Sequence, residues 1–140
     1  MRNPKSKDAP LSAEYTYLPL ERKEYLMYIK NYRELTVEQT GVEGLTARWA
    51  ITASQGAVNF SMRLLELAPL KSTPMHHHES EHEIFVLVGR GEVVTEEGSH
   101  PIREGSVIYI QPNETHCFNN TGADILRFID AVMYPSKKNK

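Results

Sequence analysis

The sequence predicts an all-β fold, a sandwich or barrel built from many short strands. Beyond Gly41 the chain reads as β-branched and alternating runs, separated by turn signals rich in glycine, proline and asparagine. Long amphipathic helical patterns are missing after residue 35, which argues against an α/β fold. With 40% hydrophobic and 24% charged residues in a chain of 140, the composition suits one packed domain.

The predicted strands follow one another closely along the chain. They cover residues 45–52, 59–67, 84–88, 92–96, 101–103, 106–110, 117–119 and 125–133. Glycine-rich turns join several of them, as Gly89-Arg90-Gly91 does between the third and the fourth. Residues 20–35 fit both a helical spacing and a strand-like alternation. There we expect a short helix or irregular segment that leads into a strand near residues 32–35.

The chain divides into three parts. We expect residues 1–40 to form an N-terminal arm and extension, residues 41–135 the barrel, and residues 136–140 a flexible tail. The extension carries more apolar residues, around 25–29, than a polar tail needs. Such a segment can pack on the barrel or on a partner chain, and it favours a homodimer in which strand edges are covered.

Charge and cysteine usage narrow the function classes. The formal net charge of −2 shows no basic surplus, so neither nucleic acid nor an anionic membrane surface is an expected partner. No apolar stretch reaches the roughly 18 residues of a membrane span, and residues 1–13 lack the apolar core of a secretory signal. The lone Cys117 cannot form an internal disulfide. The cytoplasm is the expected compartment.

Histidines carry the strongest functional signal. Three of the six read H-x-H-x3-H as His76, His78 and His82, and His116 follows in a later predicted strand region. Imidazole is the commonest protein ligand for divalent transition metals, and residues two apart in a strand share a face. The run is internal, so it is not a terminal expression tag. A solvated polar loop with Glu79, Glu81 and Glu83 is the alternative reading.

Two motifs around these histidines resemble those of the small single-domain cupins. The first is usually written G-x5-H-x-H-x3-E-x6-G, and the second G-x5-P-x-G-x2-H-x3-N. The unchanged positions in this chain are His76, His78, Gly89, Gly105, His116 and Asn120. Leu70 and Asn113 stand at glycine places, and Gln111 stands at the proline place. Asn accepts left-handed backbone geometry more readily than most residues, so Asn113 suits its place.

The resemblance implies a fold and a ligand set. It implies a double-stranded β-helix, that is, a jelly-roll barrel, with one divalent metal ion on His76, His78, His82 and His116. His82 stands where most cupins have glutamate, so the chain is similar to the four-histidine branch with its small manganese-binding members. Glu83, Glu81 or Glu79 would replace His82 if the register slipped. Manganese or iron is expected first, with zinc, nickel or copper open.

The pocket and its chemistry follow from parity and from the resemblance. Phe118 shares the inward parity of His116, and Phe60 and Met62 share one face of their strand while Arg63 lies on the other. Relatives have an aromatic at the place of Phe128. These four hydrophobic residues are the predicted substrate pocket, although such side chains are more often plain core.

The resemblance leaves the function class open between enzyme and binding protein. The first expectation is a metal-dependent oxidoreductase of dioxygenase type that acts on a small organic substrate. A metal-dependent isomerase or decarboxylase, or a non-catalytic sensor that binds a small ligand through the metal, are the alternatives, because fold alone does not determine the reaction. A purely structural metal is the third reading.

Overall fold

The computed structural model describes residues 27–133, and within that range the chain forms nine strands in two antiparallel sheets. They are β1 (Glu38–Gln39), β2 (Leu45–Ile51), β3 (Phe60–Leu67), β4 (His82–Val88), β5 (Arg90–Thr95), β6 (Gly98–Arg103), β7 (Val107–Ile110), β8 (His116–Asn120) and β9 (Leu126–Met133). One sheet has the order β1-β2-β3-β9-β4-β7 and the other the order β6-β5-β8. The all-β prediction is confirmed. The arm before residue 27 and the tail from residue 136 lie outside the described residues.

Every predicted strand between residues 45 and 133 is present, with small shifts at its ends. Two of these shifts matter for function, because β4 begins at His82 and β8 begins at His116. Both histidines are therefore fixed by a sheet instead of lying in a loop.

The strand expected near residues 32–35 is wrong. Tyr32–Glu34 is a 3-10 helix, and the side chain of Asn31 caps it by accepting a hydrogen bond from the Arg33 amide. The guanidinium groups of Arg48 and Arg127 lie 5.3 and 5.4 Å from the centre of the Tyr32 ring. These contacts come from distant strands, so local alternation could not reveal them.

The core lies between the inward faces of the two sheets. Leu67 and Leu126 are directly opposite each other in the β3–β9 pair, and both are fully buried, as is Val86 on β4. Each buried aliphatic side chain of this size contributes roughly 1.5–3 kcal/mol through loss of its contact with water. By the same alternation, the side chains of Ile84 and Phe128 point inward, toward the site described below.

Turns at the motif positions have the backbone that the motifs require. Leu70 and Asn113, which stand at glycine places, both adopt left-handed conformations, with φ of 64° and 65°. Asn120 closes the loop before β9, because its side-chain nitrogen donates to the carbonyl oxygens of Leu67 and Asp124, each at 2.9 Å. Leu70, Asn113 and Asn120, which are motif positions without a metal-binding side chain, thus shape the turns around the candidate metal ligands.

Gly89 should be much less tolerant of substitution than Gly105. Both have left-handed backbones, with φ of 96° and 91°, but a Cβ on Gly89 would collide with the Ile125 carbonyl oxygen, whereas one on Gly105 would meet nothing. Gly105→Ala should lower the free energy of unfolding by about 1–2 kcal/mol, and Gly89→Ala by about 3 kcal/mol. Urea unfolding of both variants measures the difference, and equal losses would contradict the role of the close approach.

Candidate metal centre

Four histidines converge at one end of the barrel. His76 and His116 are joined by two backbone hydrogen bonds, of 3.0 Å from the His76 amide and 2.9 Å from the His116 amide. The nitrogen atoms available for a metal on His76, His78 and His116 all lie within 4.8 Å of one another. On the fourth residue, His82, Nε2 lies 2.8 Å from Nε2 of His78. The structure therefore groups three of the four histidines that the sequence singled out at mutual metal-binding distance, and His82 adjoins this group through its contact with His78.

The Nδ1 atom of each of these histidines faces an oxygen. The pairs and their distances are His76 with the Pro74 carbonyl (2.8 Å), His78 with the Ser80 carbonyl (3.1 Å), His82 with an Asp130 carboxylate oxygen (2.9 Å) and His116 with the Glu114 carbonyl (2.7 Å). A carbonyl oxygen only accepts, and so does an ionised carboxylate, so Nδ1 carries the hydrogen in each ring. The lone pair of each neutral imidazole is then on Nε2.

The donor set fits a divalent transition metal. With the ring hydrogen on Nδ1, the Nε2 atoms of His78 and His82 face each other across 2.8 Å. Two lone pairs repel at that separation, whereas a cation shared between them is attracted to both. Imidazole nitrogens suit zinc, copper, iron and nickel, and ligating histidines commonly donate their other ring nitrogen to a carbonyl or carboxylate.

Burial keeps two of the rings, those of His78 and His116, ready to bind a metal. Desolvation lowers the pKa of His78, and the nearby His82 lowers it further. Desolvation also lowers the pKa of His116, against a hydrogen bond to the Glu114 carbonyl that raises it. Because a metal binds only the deprotonated nitrogen, both rings should compete less with protons near neutral pH than a solvated histidine does.

Asp130 and Arg63 complete the centre, and sequence reasoning missed both. Asp130 is buried, and its Oδ2 accepts hydrogen bonds from Nε (3.3 Å) and Nη2 (3.1 Å) of Arg63, while Oδ1 accepts the one from His82. The signal was present as a lone acid at an inward position of the apolar run LRFIDAVM. A charged residue at such a position requires a partner, because an unpaired buried charge is very costly.

The carboxylates that would replace His82 in a shifted register face elsewhere. His82 is buried, whereas Glu79 and Glu83, the latter being the next residue of β4, are exposed. Glu81 accepts a hydrogen bond of 3.1 Å from the Tyr109 hydroxyl. His77 and His100 are also exposed. Cys117 is buried, and desolvation raises the pKa of its thiol.

A mostly apolar cavity of about 320 Å³ opens next to the four histidines. Phe118 and Phe128 line it and stack on each other, with ring centres 4.9 Å apart and planes 18° from parallel. Phe60 and Met62 do not line it, and Phe60 is 53% exposed. The prediction that Phe60 and Met62 share one face of β3 and that Arg63 lies on the other was correct, but the inward face is the one with Arg63. The apolar Phe60 and Met62 lie on the opposite face, because the ion pair of partly exposed Arg63 with buried Asp130 occupies the inward one.

A jelly-roll barrel with converging histidines is the architecture of a cupin, and the comparisons agree that this chain has the cupin fold. Residues 63–132 match the family model described as the cupin domain, which is half of the chain. The chain therefore belongs to the cupin family.

Relatives of known structure or name differ in what they do. Over 70 residues the chain is 33% identical to an oxalate-binding protein of Thermotoga maritima, covering 49% of this chain and 58% of that protein, so it spans less than two thirds of that relative. The structure of the polyketide cyclase RemF from Streptomyces resistomycificus is 29% identical with a TM-score of 0.73, covering 78% of this chain and 80% of that one. A predicted oxalate decarboxylase of Thermotoga maritima has a TM-score of 0.67 at 21% identity, covering 76% and 98%, and shares the fold. Across residues 27–133, no helix is long and apolar enough to cross a membrane.

Replacing His116 or His78 by alanine should release the metal. Losing only a hydrogen-bond partner of a ligand costs about 10–100-fold in metal affinity, so losing the ligand should cost more. The control is His77→Ala, because His77 sits between two of the histidines but is exposed. Metal content after gel filtration, with circular dichroism to verify folding, measures the effect. Full metal occupancy in the His116 variant would contradict the assignment.

Proposed function

We propose that this chain is a divalent-metal enzyme that acts on a small, acidic carbonyl compound, with the metal held by His76, His78, His82 and His116. The observation that carries the proposal is the common orientation of these rings. In each ring the Nδ1 hydrogen is donated to an oxygen, so that Nε2 is the nitrogen available to a metal. Imidazole donors suit iron, zinc, nickel and copper, and the resemblance to small manganese-binding cupins adds manganese, so manganese or iron stands first in this proposal and zinc, nickel and copper are the alternatives.

Charge indicates what such a centre would bind. Four neutral imidazoles leave the +2 charge of an ion uncompensated. Among the described residues of the cavity wall, the other charged groups are Arg63 and Asp130, which neutralise each other. The surroundings are apolar, which strengthens electrostatic attraction. An anionic oxygen ligand, such as a carboxylate or an enolate, is therefore favoured.

The cavity restricts the size and shape of the substrate. Its volume of about 320 Å³ is at the small end of the range for ligand pockets, and the stacked Phe118 and Phe128 rings offer a flat wall. A planar conjugated or aromatic compound would pack on that wall and exclude water from the histidine end.

The chain's own acid–base groups restrict the reaction. Among the described wall residues, the side chains that could take a proton, apart from the four histidines, are Asp130 and the hydroxyls of Thr40 and Thr73. Asp130 is engaged by His82 and Arg63. A substrate in this cavity must therefore lose its proton readily, as a carbon between two carbonyl groups does. When bound, the metal would act as a Lewis acid that lowers the pKa of such a carbon acid.

Two of the comparisons support this class. RemF, a polyketide cyclase, is 29% identical and is matched over 80% of its length. The oxalate-binding protein is named for a small dicarboxylate. Both names concern carbonyl or carboxylate compounds, which are the ligands that the charge argument favours.

The second candidate is the oxidoreductase of dioxygenase type that the sequence led us to expect. An apolar cavity beside the histidines favours it, because such a space can admit dioxygen and exclude water. Against it, four neutral ligands disfavour the high oxidation states that a carboxylate ligand would stabilise. The Lewis-acid reaction therefore stands first.

Turnover of 1,3-dicarbonyl compounds should be equal with and without dioxygen. Protein loaded with manganese, iron or zinc is incubated with small 1,3-diketones and β-keto acids, and substrate loss and dioxygen uptake are followed together. His78→Ala should abolish turnover, whereas Phe118→Ala should change the preference among substrates and leave metal content intact. Stoichiometric dioxygen uptake would replace this proposal with the second candidate. Binding without turnover under any condition would indicate a binding protein.

The homodimer expected from the sequence is also a proposal, supported by the outer face of the six-stranded sheet. Phe85 pairs with Ile129 on one side and with Val107 on the other, so an apolar row crosses three strands on that face. Val107 is 75% exposed and Tyr109, on the same strand, is 60% exposed. Patches of this kind on soluble proteins often mark protein contacts.

Light scattering should return twice the chain mass of 16.0 kDa. The double change Phe85→Lys with Val107→Lys should yield monomers that still bind metal, because both side chains lie outside the barrel. A wild-type mass near 16.0 kDa at all concentrations would refute the dimer.

A further inference from the structure

Arg63 lines the cavity beside the metal centre and has hydrogen-bond donors that its ion pair with Asp130 does not use. Its Nε and Nη2 atoms both donate to a single oxygen of Asp130. Its guanidinium carbon lies 5.3 Å from the centre of the Trp49 ring, which holds a flat face of the group. Within residues 27–133, Nη1 has no hydrogen-bond partner, and the side chain is 27% exposed.

A purely structural role for Arg63 explains only part of this arrangement. Buried Asp130 needs a cation nearby, and a lysine ammonium would meet that need as a point charge. The planar guanidinium instead leaves two further N–H donors on Nη1 after satisfying the carboxylate. The Trp49 ring and Asp130 hold the group in place, so little conformational entropy would be lost when those donors meet a ligand.

The separation between Arg63 and the histidines is set by Asp130. One carboxylate oxygen accepts from Arg63 and the other from His82, at 3.1 and 2.9 Å for the shorter contacts. Arg63 is therefore two hydrogen bonds away from a histidine of the metal centre, on the same cavity wall. A small ligand could reach both at once.

We propose that Arg63 is a specificity-determining residue, which binds a second anionic oxygen of a ligand whose first is held at the four-histidine centre. This rests on the proposed function, since it takes the metal as the first anchor. The site would then select small compounds with two acidic oxygens, such as dicarboxylates and keto acids, over those with one. Guanidinium groups bind carboxylates through charge-assisted hydrogen bonds, which are stronger than neutral ones.

The test compares two anions of equal carbon number on metal-loaded protein. Calorimetry measures the affinity of butyrate and of succinate, with malonate and glutarate added to bracket the span. Wild-type protein should prefer succinate to butyrate by about tenfold or more, because a hydrogen bond to a charged group is worth about one factor of ten or more in binding. Arg63→Gln should remove that preference, because it should lower the affinity for succinate by about tenfold more than the affinity for butyrate.

Matched variants separate the ligand role from a structural one. Arg127→Gln is the control, because Arg127 also pairs with a carboxylate on β3, at 2.7 Å from Glu66, but does not line the cavity. It should keep the preference for succinate. Arg63→Lys keeps the charge beside Asp130 and should bind metal as wild type does, yet lose most of the preference. That variant preserves the test if Arg63→Gln fails to fold.

The outcomes distinguish the two proposals. If wild-type protein binds metal but neither anion, the proposed anion-binding centre fails. If it binds both anions and Arg63→Gln or Arg63→Lys retains the full preference for succinate, the role of Arg63 is overturned and the proposed function stands. Loss of metal from both Arg63 variants would show that Arg63 only supports the ligands, and would also overturn this inference.

Discussion

Asp130 carries a charge at the centre of the six-stranded sheet, where only 1% of its surface reaches solvent. A carboxylate in such a place is tolerated only with partners on every accessible lone pair. Arg63 from β3 and His82 from β4 supply them, and the strands β3, β9 and β4 are neighbours in the sheet. The ion pair, the tautomer of His82 and the order of these strands therefore depend on one another.

The other histidines are oriented by backbone. His76, His78 and His116 each donate from Nδ1 to a carbonyl oxygen two residues away along the chain. These bonds exist only because the segments that carry them are held in fixed conformations, by the backbone bridge between His76 and His116 and by the left-handed turn at Asn113. The asymmetry has a consequence for chemistry. His82 is the ring with a charged partner, so it should be the most electron-rich of the four donors.

The cavity combines two demands that usually conflict. Its wall must be apolar enough to strengthen electrostatic attraction, and it must still hold polar groups that orient a ligand. Stacked Phe118 and Phe128 meet the first demand. Arg63 and Asp130 meet the second at little cost, because each neutralises the other and Trp49 covers part of the guanidinium. Among the described residues that line the cavity, Arg63 and Asp130 are the only charged groups besides the histidines.

By itself the sequence determined the strands and the four histidines. Period-two alternation and glycine turns are local features, and the spacing of His76, His78, His82 and His116 can be read directly from the sequence. Only the tertiary structure decided that the face of β3 with Arg63, and not the face with Phe60 and Met62, lines the cavity, and that Tyr32–Glu34 form a 3-10 helix. It alone also revealed Asp130 as the partner of His82. The physical reason is the same in these cases. A buried charge, or a guanidinium packed on an aromatic ring, is stabilised by a partner more than a dozen residues away in the chain. Local periodicity cannot indicate which residue that partner is.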